Sequence, residues 1–401
     1  MKSLVITSRY PFSYFGGDSI RTKNLIKYLN KAGFNCDLLA FSNENFIDIK
    51  RDKNIKNQYI IFNKITLKEI LYILTSIFYG KPIQCSYFIN QNTKSILKNF
   101  DFKKYDKIII FLTRLAPILD YIKDDKKIIF DMADILTINY KNAWNARGLS
   151  IKWKLIYSLE YFLIKQQEKR LILKKFPKLL VSQRDYDYAM NNFNGDKSNL
   201  KVLPNHVPNL NLIEILEKAK NNTIKRESNE IFKICFIGNM DAQHNHSSIL
   251  SFIKSKIIHK LNKDNVSLTI IGKMNKQKEY FYKKNYLDVI SNPKDLLVSA
   301  SDFHCGISLL KHCSGLQNKL YDYALLGIPI VASKESADGI GFEDNIHFLL
   351  SNSFSDFHKK ILFLKKNKKY AYKLVCNCVN FVKDNFSIEN VEKKFFNIIS
   401  N

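Results

Sequence analysis

The sequence predicts an α/β protein built from two doubly wound domains. Three observations carry this: a length of 401 residues, near-continuous apolar runs that alternate with helical patterns, and a polar interruption after which the alternation starts afresh. Single hydrophobic cores stop growing at about 250 to 300 residues, so a chain of this length divides. Apolar runs with no alternating polar positions belong to strands covered on both faces, and therefore to parallel sheets flanked by helices.

The first run, Leu4 to Thr7, leads through the turn-rich "SRYPFSYFGGDS" into a helical pattern with Ile20, Leu25, Tyr28, Leu29 and Ala32 on one face, closed by Gly33. The run "CDLLAFS" follows, so the chain opens with a strand, crossover helix and strand. Further strands are expected at "YDKIIIFLT", "KKIIFDMAD" and "PKLLVSQ". After "KVLPNHVPN" comes a polar, charged stretch that ends near Glu230, and "IFKICFIGNM" then restarts the pattern, continued by "VSLTIIG", "DFHCGISLL" and "IPIVAS". The expected organisation is a first domain at 1–207, a connection at 208–230, a second domain at 231–383, and a C-terminal helix at 384–401. Ile388, Val391, Phe395, Ile398 and Ile399 give that helix an apolar face with which to pack back on the first domain.

Composition narrows the function classes. A hydrophobic fraction of 46% with only 8 prolines describes an ordered globular chain. Lys and Arg number 63 against 37 Asp and Glu, a net charge of +26 that attracts nucleic acid, anionic lipid or phosphorylated substrates. The lysines are spread through every segment, and neither zinc-finger spacing nor an RNA-binding signature is present, so nucleic acid is not the expected partner. Seven scattered cysteines in apolar runs fit reduced thiols in a cytoplasmic protein. Cys376 and Cys378 form a lone C-x-C without a second ligand pair, which does not make a zinc site. The start "MKSLVITS" lacks the features of a signal peptide, and the longest apolar stretch, "EILYILTSIFYG", falls short of the ~20 residues that span a bilayer. The segment from Trp153 to Phe176 combines apolar and basic residues and reads either as an interior helix or as one that docks on an anionic membrane.

Ligands of open parallel sheets bind beyond the carboxyl ends of the strands, where strand order reverses. Three glycine-bearing loops are candidates. In "FGGDSIR", Gly16 and Gly17 allow close backbone approach before a helix starting near Asp18 or Ser19, although a plain capped turn fits as well. In "FIGNMDAQHNH", Gly238 ends a strand with Asn239 at its mouth, and His244 and His246, two apart, do not share a helix face; a surface loop is the alternative. In "CSGLQNKLYDYALLGIPIVAS", Leu316, Leu320 and Tyr323 form a buried stripe, which leaves Lys319 and Asp322 together on another face, with Gly315 at the helix start. A lysine in a first helical turn suits a diphosphate, and a carboxylate one turn on suits two ribose hydroxyls; a surface ion pair is the competing reading.

These residues resemble the retaining GT-B glycosyltransferases of family 4, in particular a bacterial exopolysaccharide-associated branch. "GLQNKLYDYALLGIPIVAS" is similar to its donor-binding segment. "YPFSYFGGDSIR", "FDMADILTINY", "LLVSQRD", "VLPNHVP" and "CFIGNMDAQHN" match further segments of that branch in the same order. The resemblance implies two Rossmann-like domains facing an interdomain cleft, with a nucleotide-sugar donor on the C-terminal domain and a saccharide or lipid-linked saccharide acceptor on the N-terminal one. It assigns Asp322 to the ribose and Lys319, Lys311 and the amides of Gly315 and Leu316 to the diphosphate. Gly16, Gly17, Arg21, Gly238 and Asn239 join the donor-binding set. Asp131 and Asp134 fall near the transferred sugar, with Asp134 the expected acid or base and Asp131 and Lys319 beside it in the catalytic set. Four departures stand out: Ser314, itself in the donor-binding set, where relatives often carry a second glutamate; Asn239 and His244 where many carry Arg and Lys; Asp322, one methylene shorter than the family's glutamate; and His206 in place of a hinge glycine.

The expected function is transfer of a sugar with retention in bacterial surface-polysaccharide synthesis, without metal or cofactor, at the cytoplasmic face of an anionic membrane. A non-catalytic nucleotide-sugar-binding or scaffold subunit is the alternative.

Overall fold

The structure, a computed structural model, describes residues 1–12, 17–42, 52–63, 65–145, 150–208, 211–225, 231–310 and 317–400. Of the residues singled out above, Gly16, Lys311, Ser314, Gly315 and Leu316 lie outside the described residues. The chain divides into two compact units, one of Met1–Asn205 with Glu392–Asn401 and one of His206–Val391.

The first unit holds a seven-stranded parallel sheet. Its strands are β1 (Lys2–Thr7), β2 (Asn35–Ser42), β3 (Gln58–Phe62), β4 (Lys107–Phe111), β5 (Ile128–Ala133), β6 (Lys178–Leu180) and β7 (Leu200–Val202). They lie in the order β3-β2-β1-β4-β5-β6-β7, so the direction of winding reverses between β1 and β4. The second unit repeats the scheme with β8 (Phe232–Ile237), β9 (Val266–Gly272), β10 (Asp288–Ser291), β11 (Cys305–Ser308), β12 (Ile330–Ala332) and β13 (Leu349–Leu350). Here the order is β10-β9-β8-β11-β12-β13, with the reversal between β8 and β11. The expected doubly wound α/β architecture is the one observed, in both units.

Central strands are apolar because helices cover both faces: every residue of β5 and all but the first of β4 are buried. β3 and β10 lie at sheet edges and are only half covered. The first crossover helix, Gly17–Lys31, departs from the expected pattern in its first turns. Ile20 is 41% exposed, and the residues turned inward there are Ser19, Arg21, Thr22 and Asn24. Leu25, Ile26, Tyr28 and Leu29 then supply the apolar face. These polar side chains meet polar partners rather than a core: Ser19 donates to the Pro11 carbonyl, Thr22 to the Asp18 carbonyl and Arg21 to Asp131.

Residues 208–230, expected as a connection, contain helix Leu212–Lys220. Asn211 caps it by accepting from the Glu214 amide, and Ile215 and Ala219 are buried with Val375 and Val379 of helix Lys368–Phe386. This helix therefore belongs to the packing of the second unit. Near the C-terminus, helix Ile388–Ser400 buries Val391, Phe395 and Ile399. The Phe395 ring lies 5.5 Å from that of Tyr28, and Glu392 pairs with Lys31 at 2.6 Å.

Helix Ile151–Ile172 divides into two parts. Leu163, Ile164, Leu171 and Ile172 are buried and Phe176 joins the core behind them, whereas Trp153 and Leu155 stay exposed. Its two inward acids act as caps for other helices. Glu160 accepts from the Ile83 and Gln84 amides at the start of helix Ile83–Phe88 (2.8 and 3.1 Å). Glu168 accepts from the amides of Leu136 and Thr137 and from the Thr137 hydroxyl at the start of helix Leu136–Trp144 (2.7, 3.0 and 2.6 Å). Burial lifts the Glu168 carboxyl to about 7.

Candidate functional site

In the second unit, β11 pairs with the middle of β8 through its first two residues, Cys305 with Ile234 and Gly306 with Cys235. Beyond that point Tyr323 separates them. Its ring occupies the space a side chain on Gly306 would need, 2.2 Å from the Cβ position. Its hydroxyl accepts from the Ile237 amide (3.0 Å) and donates to the Ile307 carbonyl (2.8 Å). The buried stripe read from the sequence is thus present at Leu320 and Tyr323, and Tyr323 also satisfies backbone groups where the two strands part. The crevice of a doubly wound sheet opens at this position.

Two helices begin at this end of the sheet. Helix Gln243–Lys254 follows β8, and helix Asn318–Leu325 precedes β12. Among the described residues neither has a side-chain cap, and first-turn amides have no partner within their own helix, the setting in which a helix start takes an anion. Their first turns meet through Lys319 and Asn245: the ammonium donates to Asn245 Oδ1 at 2.8 Å and lies 4.1 Å from the centre of the Phe236 ring. Asn245 donates in turn to the Asn239 carbonyl at 2.9 Å. Lys319 is therefore no surface residue but 6% exposed, with its charge fixed between two helix starts.

Asp322, one turn on, is half-buried. Burial raises its carboxyl to about 7, Lys319 pulls it down, and no hydrogen bond from the described residues reaches it. The two do not form a direct ion pair among the described residues, so the competing surface-pair reading has no support. Burial and the charge of Lys319 hold the His244 imidazole below its usual value.

Gly238, directly after β8, and Gly272, the last residue of β9, bring their backbones into close approach. A Cβ on Gly272 would lie 2.1 Å from the Gly238 carbonyl oxygen, and its φ of +142° already suits glycine alone. Gly238 itself has Asn245 packed against it, 2.9 Å from its Cβ position. Asn239 is exposed beside them, its side-chain oxygen accepting from the Asp241 amide at 2.9 Å.

In the first unit, helix Gly17–Lys31 begins at Gly17, where a Cβ would meet nothing within 4 Å. Arg21 and Asp131, expected to face the ligand, are instead each other's partners. Arg21 Nε and Nη2 donate to the two Asp131 oxygens at 2.7 and 3.0 Å, while Nη1 donates to the Leu203 carbonyl and to Asn205 at 2.9 and 3.1 Å. Both side chains are buried, so the pair ties the helix to β5 and to the chain after β7. It positions the strand end rather than offering a free charge.

Asp134 stands just beyond this anchor. Asn139 donates to it at 2.9 Å, and burial together with the nearby Asp185 lifts its carboxyl to about 6. Ala133, immediately before it, has a φ of +61°, and Leu112 at the neighbouring strand end has +78°. Such left-handed backbone is costly for residues with a side chain, and it collects at sites where side-chain aim matters. Asn205, Asn245 and Tyr323 were not among the sequence candidates. Their partners lie far along the chain, and no spacing rule relates them.

Among the described residues no group of three or more His, Cys, Asp or Glu side chains could hold a metal ion.

No protein-family model matches the chain, and neither does any curated protein. Solved structures do. A sucrose-phosphate synthase from Thermosynechococcus elongatus superposes with a TM-score of 0.69 at 12% identity, over 100% of this chain and 98% of that one. The lipopolysaccharide outer core galactosyltransferase WaaB gives 0.63 at 14% identity over 100% and 99%. HepE of Anabaena, in complex with UDP-glucose, gives 0.61 at 10% identity over 99% of each. At these identities the likeness is one of fold, and that fold is GT-B, with two Rossmann-like domains.

Proposed function

We propose that this protein is a glycosyltransferase that uses a nucleotide-diphosphate sugar. The observation that carries the reading is the arrangement in the second unit, where Lys319 is fixed between two uncapped helix starts and Asp322 waits with no hydrogen-bond partner among the described residues. A fixed cation and oriented amides suit a diphosphate, and a desolvated carboxylate suits ribose hydroxyls. The same fold in WaaB and in HepE bound to UDP-glucose is consistent with that ligand class.

In this reading Lys319 and the helix amides stabilise the leaving nucleoside diphosphate as the anomeric bond breaks. Lys311, Ser314, Gly315 and Leu316 complete the donor grip together with Gly238 and Asn239. The transfer proceeds with retention: the donor phosphate takes the acceptor proton on the face the leaving group departs from, and no metal is required. Gly16 and Gly17 join the donor-binding set, and Asp134, which accepts from Asn139, positions the acceptor hydroxyl or, in place of the donor phosphate, takes its proton. The acceptor is a saccharide, lipid-linked at the cytoplasmic face of a membrane, in bacterial surface-polysaccharide synthesis.

A thermal-shift panel of nucleoside diphosphates and nucleotide sugars tests this. Ligand at about 100 times its Kd stabilises the fold by about 2.7 kcal/mol. One base family is expected to raise Tm selectively; a panel with no shift at saturating concentration rejects the reading. Binding without transfer to any acceptor would leave the alternative, a non-catalytic nucleotide-sugar subunit.

A further inference from the structure

Helix Leu67–Phe78 is built with its apolar side outward. Leu67, Leu71, Leu74 and Phe78 recur at the spacing of one helical face, and they are 80%, 62%, 51% and 90% exposed. Ser76, on the opposite side, is the buried residue of the helix. An amphipathic helix that packs on a core turns the other way. The start of helix Ile151–Ile172 repeats the arrangement, with Ile151, Leu155, Leu159 and Phe162 outward and the Glu160 carboxylate inward.

The two helices are tied together. Glu160 caps the helix that follows Leu67–Phe78, and the Cβ position of Gly80 lies 3.9 Å from Gln166.

The charges around these faces select the occupant. Lys68 and Lys81 are exposed at the two ends of the first helix, and Lys94 sits 4.9 Å from the ring of Tyr72 within it. Lys152 and Lys154 are exposed in the second, which has no acid before the buried Glu160. Glu69 is taken up in a capping box with Thr66. Exposed Trp153, Phe78 and Tyr79 add the aromatic side chains that settle at the boundary of water and hydrocarbon. Among the described residues no helix is long and apolar enough to cross a membrane.

We propose that helix Leu67–Phe78, with the first turns of helix Ile151–Ile172, lies in the plane of an anionic bilayer surface. The apolar stripes enter the acyl boundary and the lysines meet the phosphates. This deepens the proposed lipid-linked acceptor, yet it stands on the surface itself, and vesicle binding is read without any nucleotide.

The test is co-sedimentation with vesicles of phosphatidylcholine alone or mixed with phosphatidylglycerol. The wild-type protein is expected to bind the mixed vesicles, and less so as salt is raised. The triple variant Leu71→Ser, Leu74→Ser, Phe78→Ser should bind roughly tenfold less or weaker still. Lys68→Glu with Lys152→Glu and Lys154→Glu should lose roughly fivefold per lysine on the mixed vesicles alone. Both variants should keep the wild-type Tm, because the altered side chains are exposed. Absence of wild-type binding at low salt, or serine and glutamate variants that bind unchanged, overturns the proposal. So does a concentration-dependent dimer, seen by light scattering, that the serine variant abolishes while vesicles remain unbound; the face would then belong to a second copy of the chain.

Discussion

Replacing Asp322 by Asn leaves a side chain of the same shape but removes the charge that would accept from two ribose hydroxyls. Each hydrogen bond to a charged group is worth about 1.5–3 kcal/mol net. The carboxylate is already desolvated in the free protein, which raises it to about 7, so ligand binding adds little further desolvation cost. The amide retains part of one bond. The expected loss is about 2–3 kcal/mol, or roughly 30- to 150-fold in Kd for the nucleoside diphosphate. Isothermal titration calorimetry reads this directly, and its pH dependence sharpens it. Only the ionised carboxylate accepts both hydroxyls, so wild-type affinity should rise with pH through about 7 and then level, while Asp322→Asn stays flat. Stability runs the opposite way. A folded-state value of about 7, above the usual 3.8, means that the ligand-free fold holds a proton the unfolded chain has released. The contribution of this group is full below 3.8 and is lost as pH rises through about 7, so Asp322→Asn should melt higher than wild type in alkaline buffer. A Kd unchanged within about twofold, against the loss of about 30-fold or more expected, would refute the assignment of Asp322 to the ligand.

Other substitutions probe the supports of the site. Breaking the buried Arg21–Asp131 pair with Arg21→Met or Asp131→Asn should cost about 3–5 kcal/mol in denaturant unfolding, and the double variant should cost less than the sum. Tyr323→Phe leaves the Ile237 amide without its acceptor where β8 and β11 part, for an expected loss of about 1–3 kcal/mol in the same assay. Gly272→Ala places a methyl group against the Gly238 carbonyl and forces both strand ends to shift; lowered Tm and weakened nucleotide binding should appear together.

Much of the architecture is legible in the sequence because buried parallel strands are written as uninterrupted apolar runs. β1, β2, β4, β5 and β8 each hold such a run, and that of β9 is broken only by Ser267 and Thr269. The edge strand β3 also holds one, at residues 59–62, and escapes notice although it is only half covered, whereas β10 and β13 are too short to carry the signature. The inner face of helix Gly17–Lys31 was misread at Ile20 because hydrophobic periodicity assumes that a helix faces a core, and its first turns face polar partners. Lys319 and Asp322 were legible as a pair of polar residues in an apolar segment. Their separate settings were not, because the partner of Lys319 is Asn245, 74 positions away. The Arg21–Asp131 pair spans 110 positions, and the caps formed by Glu160 and Glu168 join elements that only the fold brings together. Spacing reports neighbours along one element, and these contacts cross several.

The central claim is that Lys319 and Asp322 grip a nucleotide-sugar donor for transfer. The direct measurement is release of nucleoside diphosphate from the nucleotide sugar that best stabilises the protein, in wild type and in Lys319→Ala and Asp322→Ala variants shown to be folded by circular dichroism. The account predicts turnover in wild type and its loss in both variants. Full turnover in both would contradict it.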